Sequence, residues 1–163
     1  MIQKKICMLG TFAVGKTSLV RRFIESKYSD KYLTTVGVKV DKKTVQVNST
    51  EVSMLLWDIE GTESEHELRK SYLRGASGYL LVVDGTRQDT LYKALAIQTR
   101  TEETIGEVPF LVLFNKADLV DQWAISERET NALKEKGWKA ITTSAKTGIG
   151  VEEAFQTLAT KMV

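Results

Sequence analysis

The sequence predicts an α/β fold: a six-stranded, mostly parallel sheet with one antiparallel hairpin strand and helices on both faces. Three observations lead there. The apolar residues switch repeatedly between short runs of strand length and the i, i+4 spacing of helices. Two strand runs, residues 78–84 and 109–115, are apolar without alternation, the mark of strands covered on both faces. Strands that alternate with helices are joined by helical crossovers, which lay a parallel sheet between two helical layers.

Taken in order, Lys5-Ile6-Cys7-Met8-Leu9-Gly10 is a short buried strand closed by glycine, and residues 17–24 carry the apolar spacing of a helix. Residues 36–47 and 51–58 are two strands, and Asn48-Ser49-Thr50 between them is turn chemistry, so the pair forms the antiparallel hairpin. The run at 78–84 is the fourth strand, and a helical pattern follows over 90–105. The strongest strand, 109–115, comes next. The following helix, 126–136, opens with Ser126 as cap and Glu129 three residues on. Residues 138–143 form a last, weaker strand, and 151–162 a last helix. No repeat, low-complexity tract or linker interrupts the series, so the expectation is one domain over residues 1–163.

Composition removes several function classes. With 23 basic against 21 acidic residues the net charge is +2, too small and too evenly spread for a general nucleic-acid binder. Cys7 is the one cysteine, which excludes an internal disulfide framework or a cysteine-based zinc site, and the single His66 excludes a histidine cluster. No apolar run approaches the roughly 18 to 20 residues that span a bilayer, and the apolar stretch near the start is too short for a signal peptide. A cytoplasmic chain is expected.

Gly10-Thr11-Phe12-Ala13-Val14-Gly15-Lys16-Thr17 fits G-x-x-x-x-G-K-[ST] between a strand and a helix, the context in which that pattern cradles phosphate. Glycines let the loop wrap closely, so that backbone N–H groups face phosphate oxygens, and the positive end of the next helix adds attraction. Gly10, Ala13, Val14, Gly15 and Ser18 are therefore expected at the nucleotide. Lys16 reaches its terminal phosphates and the Thr17 hydroxyl ligates Mg²⁺.

Asn115-Lys116-Ala117-Asp118 follows the strongest strand, where open α/β sheets bind ligands. A carboxylate there accepts two parallel hydrogen bonds from guanine N1–H and its exocyclic amine, which adenine does not offer. Asp118 thus selects the base, Asn115 braces the loops and the Lys116 stem lies along the base plane. Ser144-Ala145-Lys146 after the last strand completes the set, with the Ala145 N–H directed to guanine O6. At the end of the third strand Asp58 is placed to hold Mg²⁺, through water, because this ion keeps much of its hydration. Gly61 offers its N–H to the γ-phosphate, and Thr35, in Thr34-Thr35-Val36-Gly37, completes the metal shell when that phosphate is present.

In order and spacing these four elements resemble the small GTPases of the Ras superfamily over essentially the whole chain. Thr35-Val36-Gly37-Val38, Trp57-Asp58 and Tyr72-Leu73-Arg74-Gly75-Ala76 resemble the Rab branch most. The resemblance implies a guanine-nucleotide switch that binds GTP or GDP with Mg²⁺ and hydrolyses GTP. It places Tyr28 near the guanine edge and Tyr32 over the phosphates. It also implies two switch segments, near 27–40 and 59–74, which γ-phosphate orders and hydrolysis releases, and which meet effector, exchange-factor and activating proteins.

The chain departs from the family nearest the attacking water. Thr62 stands where glutamine usually orients that water, and its short side chain cannot span the distance; Rap proteins share this threonine and depend on an activating partner. Glu60 replaces the usual alanine. A carboxylate about 5 Å from the γ-phosphate costs roughly 3 kcal/mol at an effective dielectric near 20, so it turns away, takes up a proton or disfavours GTP relative to GDP. Phe12 occupies a position that is typically glycine in Ras and serine in Rab, where a benzyl group obstructs an arginine finger. The catalytic set, Lys16, Glu60, Gly61 and Thr62, is therefore expected to hydrolyse slowly without a partner. The alternative is a nucleotide-bound scaffold with negligible hydrolysis.

Other residues carry blander expectations. Cys7 is a small core residue, His66 lies on a polar face, Trp123 and Trp138 pack, and Lys42-Lys43 is a solvated cluster. The chain shows no prenylatable cysteine near Val163, so peripheral membrane association requires a lipidated tail missing from this chain; a monomer is expected.

Overall fold

In the computed structural model, described over residues 2–25, 37–59 and 70–163, six strands form one sheet in the order β2-β3-β1-β4-β5-β6. The strands are β1 (Ile2–Leu9), β2 (Val38–Val47), β3 (Thr50–Ile59), β4 (Gly78–Asp84), β5 (Phe110–Asn115) and β6 (Ala140–Thr142). Only β2 runs antiparallel, paired with β3 through a turn at Asn48-Ser49 in which Asn48 takes φ 56°. The helices are α1 (Lys16–Glu25), α2 (Lys70–Leu73), α3 (Gln88–Ile105), α4 (Glu127–Glu135) and α5 (Val151–Met162). The expected mixed sheet is present.

Alternation in β1 divides the core. Ile6 and Met8 face α1 and α5, joining Leu80, Val82, Leu111 and Leu113 from the neighbouring strands. Cys7 and Leu9 face α2, α3 and α4, with Tyr79, Leu81, Val83 and Phe114. All seven residues of β4 are buried, as its unbroken apolar run requires. On the first face Phe23 of α1 stacks on Phe155 of α5 with ring centroids 4.0 Å apart, worth about 0.5 to 1.5 kcal/mol beyond the area buried.

Several boundaries differ from the sequence pattern. β1 begins at Ile2 because its ladder with β3 runs on to Ile2↔Val52, although that end is exposed. β6 is shorter than 138–143, since the Trp138 N–H closes α4 on the Leu133 carbonyl. α4 has the expected capping box, with Ser126 and Glu129 bonding each other's backbone. α2 and a 3₁₀ turn at Val120–Gln122 have no counterpart in the pattern, being too short to show a period. No helix among the described residues is long and apolar enough to cross a membrane.

β1 lies between β3 and β4, so the chain leaves it toward one edge of the sheet and later returns on its other side. Crevices at the carboxyl ends of strands open at such a reversal. The loops after β1, β4, β5 and β6 gather there, beside the end of β3.

Candidate functional site

After Leu9 the chain turns through residues 10–15 and enters α1 directly at Lys16. Gly15 sits at φ 102°, and a Cβ on it would lie 2.3 Å from Asn115 Nδ2, so the turn and the close approach both demand glycine. Asn115 uses that proximity: its Nδ2 donates to the Val14 carbonyl at 3.0 Å, while its Oδ1 accepts from the Thr143 hydroxyl at 3.1 Å. One buried amide therefore joins the loops after β1, β5 and β6. Ala13 takes φ 62°, a left-handed conformation that L-residues adopt only at a cost.

Lys16 is 6% exposed, and its ammonium donates to the carbonyls of Gly10 at 3.2 Å and Thr11 at 3.0 Å. Burial pushes its pKa down to about 8, and the Asp58 carboxylate pulls it back up. A buried ammonium whose hydrogen bonds go to neutral carbonyls favours the arrival of an anion.

On the far side of the loop a cavity of about 210 Å³ opens between Gly15, Ser18, Asn115, Lys116, Asp118, Leu119, Ala145 and Lys146. Asp118 is oriented by the Ser144 hydroxyl, which donates to its Oδ1 at 2.8 Å. Ser144 in turn accepts the Thr147 N–H at 3.1 Å, so the last loop and Asp118 hold one geometry. The Lys116 ammonium reaches the Ala13 carbonyl at 3.1 Å and Asp84 Oδ2 at 2.8 Å. Its stem thus runs from β5 across to the phosphate loop.

Parallel pairing of β1 with β3 sets Met8 opposite Asp58 and brings Asp58, 1% exposed, up to the start of α1. The Thr17 hydroxyl donates to Asp58 Oδ2 at 2.6 Å. Two hard oxygen donors converging beside a phosphate loop fit the chemistry of Mg²⁺, which takes one or two protein ligands and fills its octahedron with water and phosphate oxygen. No group of three or more His, Cys, Asp or Glu side chains among the described residues forms a site of another kind.

The structure therefore brings together Gly10, Ala13, Val14, Gly15, Lys16, Thr17, Ser18, Asp58, Asn115, Lys116, Asp118, Ser144, Ala145 and Lys146 around one crevice. Tyr28, Tyr32, Thr35, Glu60, Gly61, Thr62 and His66 lie outside the described residues, as do most of the two expected switch segments. Phe12 is 45% exposed on the loop.

Sequence reasoning passed over three contributors. Asp84 ends β4, Thr143 follows β6 and Leu119 lines the cavity. A carboxylate that closes an otherwise apolar strand was the available signal for Asp84. Cys7 is buried with its thiol pushed up to about 12 by desolvation, as suits a core residue. Trp138 packs edge-on against Phe110, and the Trp123 ring lies over Gly85, where a Cβ would come within 2.0 Å. The expected Lys42-Lys43 cluster divides: Lys42 is exposed, whereas Lys43 donates to the Phe23 carbonyl at 2.7 Å and satisfies the end of α1.

Comparison with known proteins identifies the family. The model of the Ras family matches residues 5–163. Ras-related protein Rab-21 of Mus musculus is 34% identical over 161 residues, which cover 98% of this chain and 72% of the relative. Ras-related protein SEC4 of Saccharomyces cerevisiae is 35% identical over 156 residues, 95% of this chain and 73% of that protein. GTP-binding protein ypt2 of Schizosaccharomyces pombe is 32% identical over 157 residues, 95% of this chain and 78% of that protein.

Proposed function

The chain belongs to the Ras family, as a small GTPase of its Rab branch, and on that premise we propose which residues perform the switch and how fast it runs. The base of GTP or GDP fills the cavity between Lys116, Asp118 and Ala145, and the phosphates follow the loop from Ala13 to Ser18. Asp118 accepts from guanine N1–H and the exocyclic amine, while the Ala145 N–H donates to O6. The single observation that carries this reading is the Asn115 amide, 3.0 Å from the Val14 carbonyl, which ties the cavity beside Asp118 to the loop before α1.

Thr17 and Asp58 would hold Mg²⁺, with Thr35 joining them when γ-phosphate is present. When bound, the ion neutralises charge that builds on the β- and γ-phosphate oxygens. Lys16 supplies a second positive charge to the same oxygens, and the Gly61 N–H donates to the γ-phosphate. Tyr28 flanks the guanine and Tyr32 covers the phosphates. Segments near 27–40 and 59–74 carry the nucleotide state to effector, exchange-factor and activating proteins. The unit is one domain, acting as a monomer in the cytoplasm.

Hydrolysis, by in-line attack of water on the γ-phosphate, is slow without a partner. Thr62 is too short to hold water against phosphate, Glu60 adds charge of the wrong sign, and Phe12, 45% exposed, stands where an arginine finger would enter. That finger contributes about 10³ to 10⁵ in rate where it acts. The Phe12 exposure also favours the second reading, a GTP- or GDP-bound scaffold that signals by occupancy. A single-turnover assay with GTP and Mg²⁺ separates these. Slow but measurable phosphate release is expected; brisk release from the isolated chain refutes the slow switch, and none at all selects the scaffold.

A further inference from the structure

Asp84, at the end of β4, is 1% exposed and yet fully satisfied. Its Oδ1 accepts from the Thr86 N–H at 2.9 Å and the Thr86 hydroxyl at 2.6 Å. Its Oδ2 accepts from Arg87 Nε at 3.0 Å and Lys116 Nζ at 2.8 Å. Burial pushes the carboxyl upward, but the bonds from Lys116, Thr86 and Arg87 outweigh it and hold the group below its ordinary value. This carboxylate stays charged, and it gathers two cations.

Both cations also reach the phosphate loop. Arg87 Nη2 donates to the Phe12 carbonyl at 2.8 Å, and Lys116 Nζ to the Ala13 carbonyl at 3.1 Å. With Asn115 on Val14, three successive carbonyls of the loop are each held from outside by a side chain. A trans peptide is planar, with its C=O and the next N–H on opposite sides. Carbonyls drawn outward at 12, 13 and 14 therefore turn the N–H groups of Ala13, Val14 and Gly15 toward the concave side. Lys116 and Asn115 belong to the base loop; Arg87 does not, and it lies outside every motif in the chain.

We propose that Arg87, oriented by Asp84, is a positioning residue for the phosphate loop: it fixes the Phe12 carbonyl, aims the Ala13 N–H at the bound phosphates and slows release of the nucleotide. This rests on the reading of the loop as the phosphate site. The guanidinium suits the task because its rigid fork serves two acceptors at once, Nε on the carboxylate and Nη2 on the carbonyl. Asp84 is the buried partner that makes this more than an exposed ion pair, since the Arg87 side chain is itself 40% exposed.

The test loads the full chain with fluorescent GDP and follows its release into excess unlabelled GDP, for wild type, Arg87→Ala and Arg87→Lys. Arg87→Ala is expected to release GDP about tenfold faster, the equivalent of one hydrogen bond to a charged donor. Arg87→Lys is expected to stay close to Arg87→Ala, because a single ammonium does not serve both acceptors in the fork geometry. Thermal unfolding with and without GDP supplies the control: the gain in melting temperature on loading should shrink in both variants. Release within twofold of wild type in Arg87→Ala, restoration by lysine, or an equal loss of stability in the empty and loaded forms overturns the proposal. A wild type that holds no GDP overturns the reading of the site itself, and this inference with it.

Discussion

The two halves of the crevice are built on opposite principles. The loop at 10–15 is organised through its backbone: its path is held by glycine and by donors from elsewhere. The base side works through side chains, with Asp118 aimed by Ser144 and the Lys116 stem laid between the two halves. A site that reads with its backbone is sensitive to anything that bends the chain but indifferent to which small residues it carries. A site that reads with a carboxylate tolerates displacement of its neighbours but not a change of one functional group. On the proposed reading the first half holds the phosphates that every nucleotide carries, and the second adds the bonds that tell one base from another.

The sharpest way to break this contrast is Asp118→Asn. The amide keeps an acceptor for guanine N1–H but turns a donor on the exocyclic amine, so one charge-assisted bond is replaced by two facing donors and the other loses its charge, about 4 kcal/mol together, and GDP affinity should fall roughly a thousandfold. Xanthine nucleotide, whose edge complements the amide, should be gained. Competition binding with GDP, XDP and ADP measures this; unchanged guanine preference would mean that specificity does not reside in the carboxylate.

Gly15→Ala attacks the backbone half and tests whether the halves are mechanically joined. The added Cβ meets Asn115 Nδ2 at 2.3 Å on a residue already at φ 102°. Backbone strain and a displaced buried amide together cost about 3 kcal/mol, which lowers the melting temperature of the empty chain by roughly 6 to 12 °C. If the empty chain melts as wild type does, the Asn115 brace is not the link.

The smallest effect concerns Asp84, which ties the halves through Lys116 and Arg87. Its carboxyl is lowered from 3.8 in the fold, so its contribution is complete above that pH and is lost as pH falls through the lower, folded value. Urea unfolding of wild type and Asp84→Asn should show a stability gap that is flat from neutral pH to about 4 and narrows only in stronger acid. A gap already closing near pH 6 would contradict the ionised assignment.

The fold and the motif-bearing part of the site were legible in advance for different reasons. β4 and β5 announce themselves because a strand buried on both faces needs an unbroken apolar run. The loop at 10–17 is legible because close backbone approach forces glycine at definite spacing. Asp84 and Arg87 were not, because their partners, Lys116 and the Phe12 carbonyl, stand 32 and 75 residues away in sequence (116 − 84 for the first). Lys43 misled for the same reason: only tertiary contact shows that its ammonium satisfies the last turn of α1 rather than solvent.

By itself, then, the sequence determined the order and type of the main elements, the location of the phosphate and base loops and the family to which the chain belongs. These follow from periodicity and from local steric demands, which neighbouring residues express together. Tertiary structure alone decided which side chains turn the loop's carbonyls outward and how a carboxylate with little access to water remains charged. Those outcomes depend on Arg87, Lys116 and Asn115 reaching the carbonyls of Phe12, Ala13 and Val14, and on Lys116 reaching Asp84, contacts of about 3 Å between distant stretches of chain that no local pattern encodes.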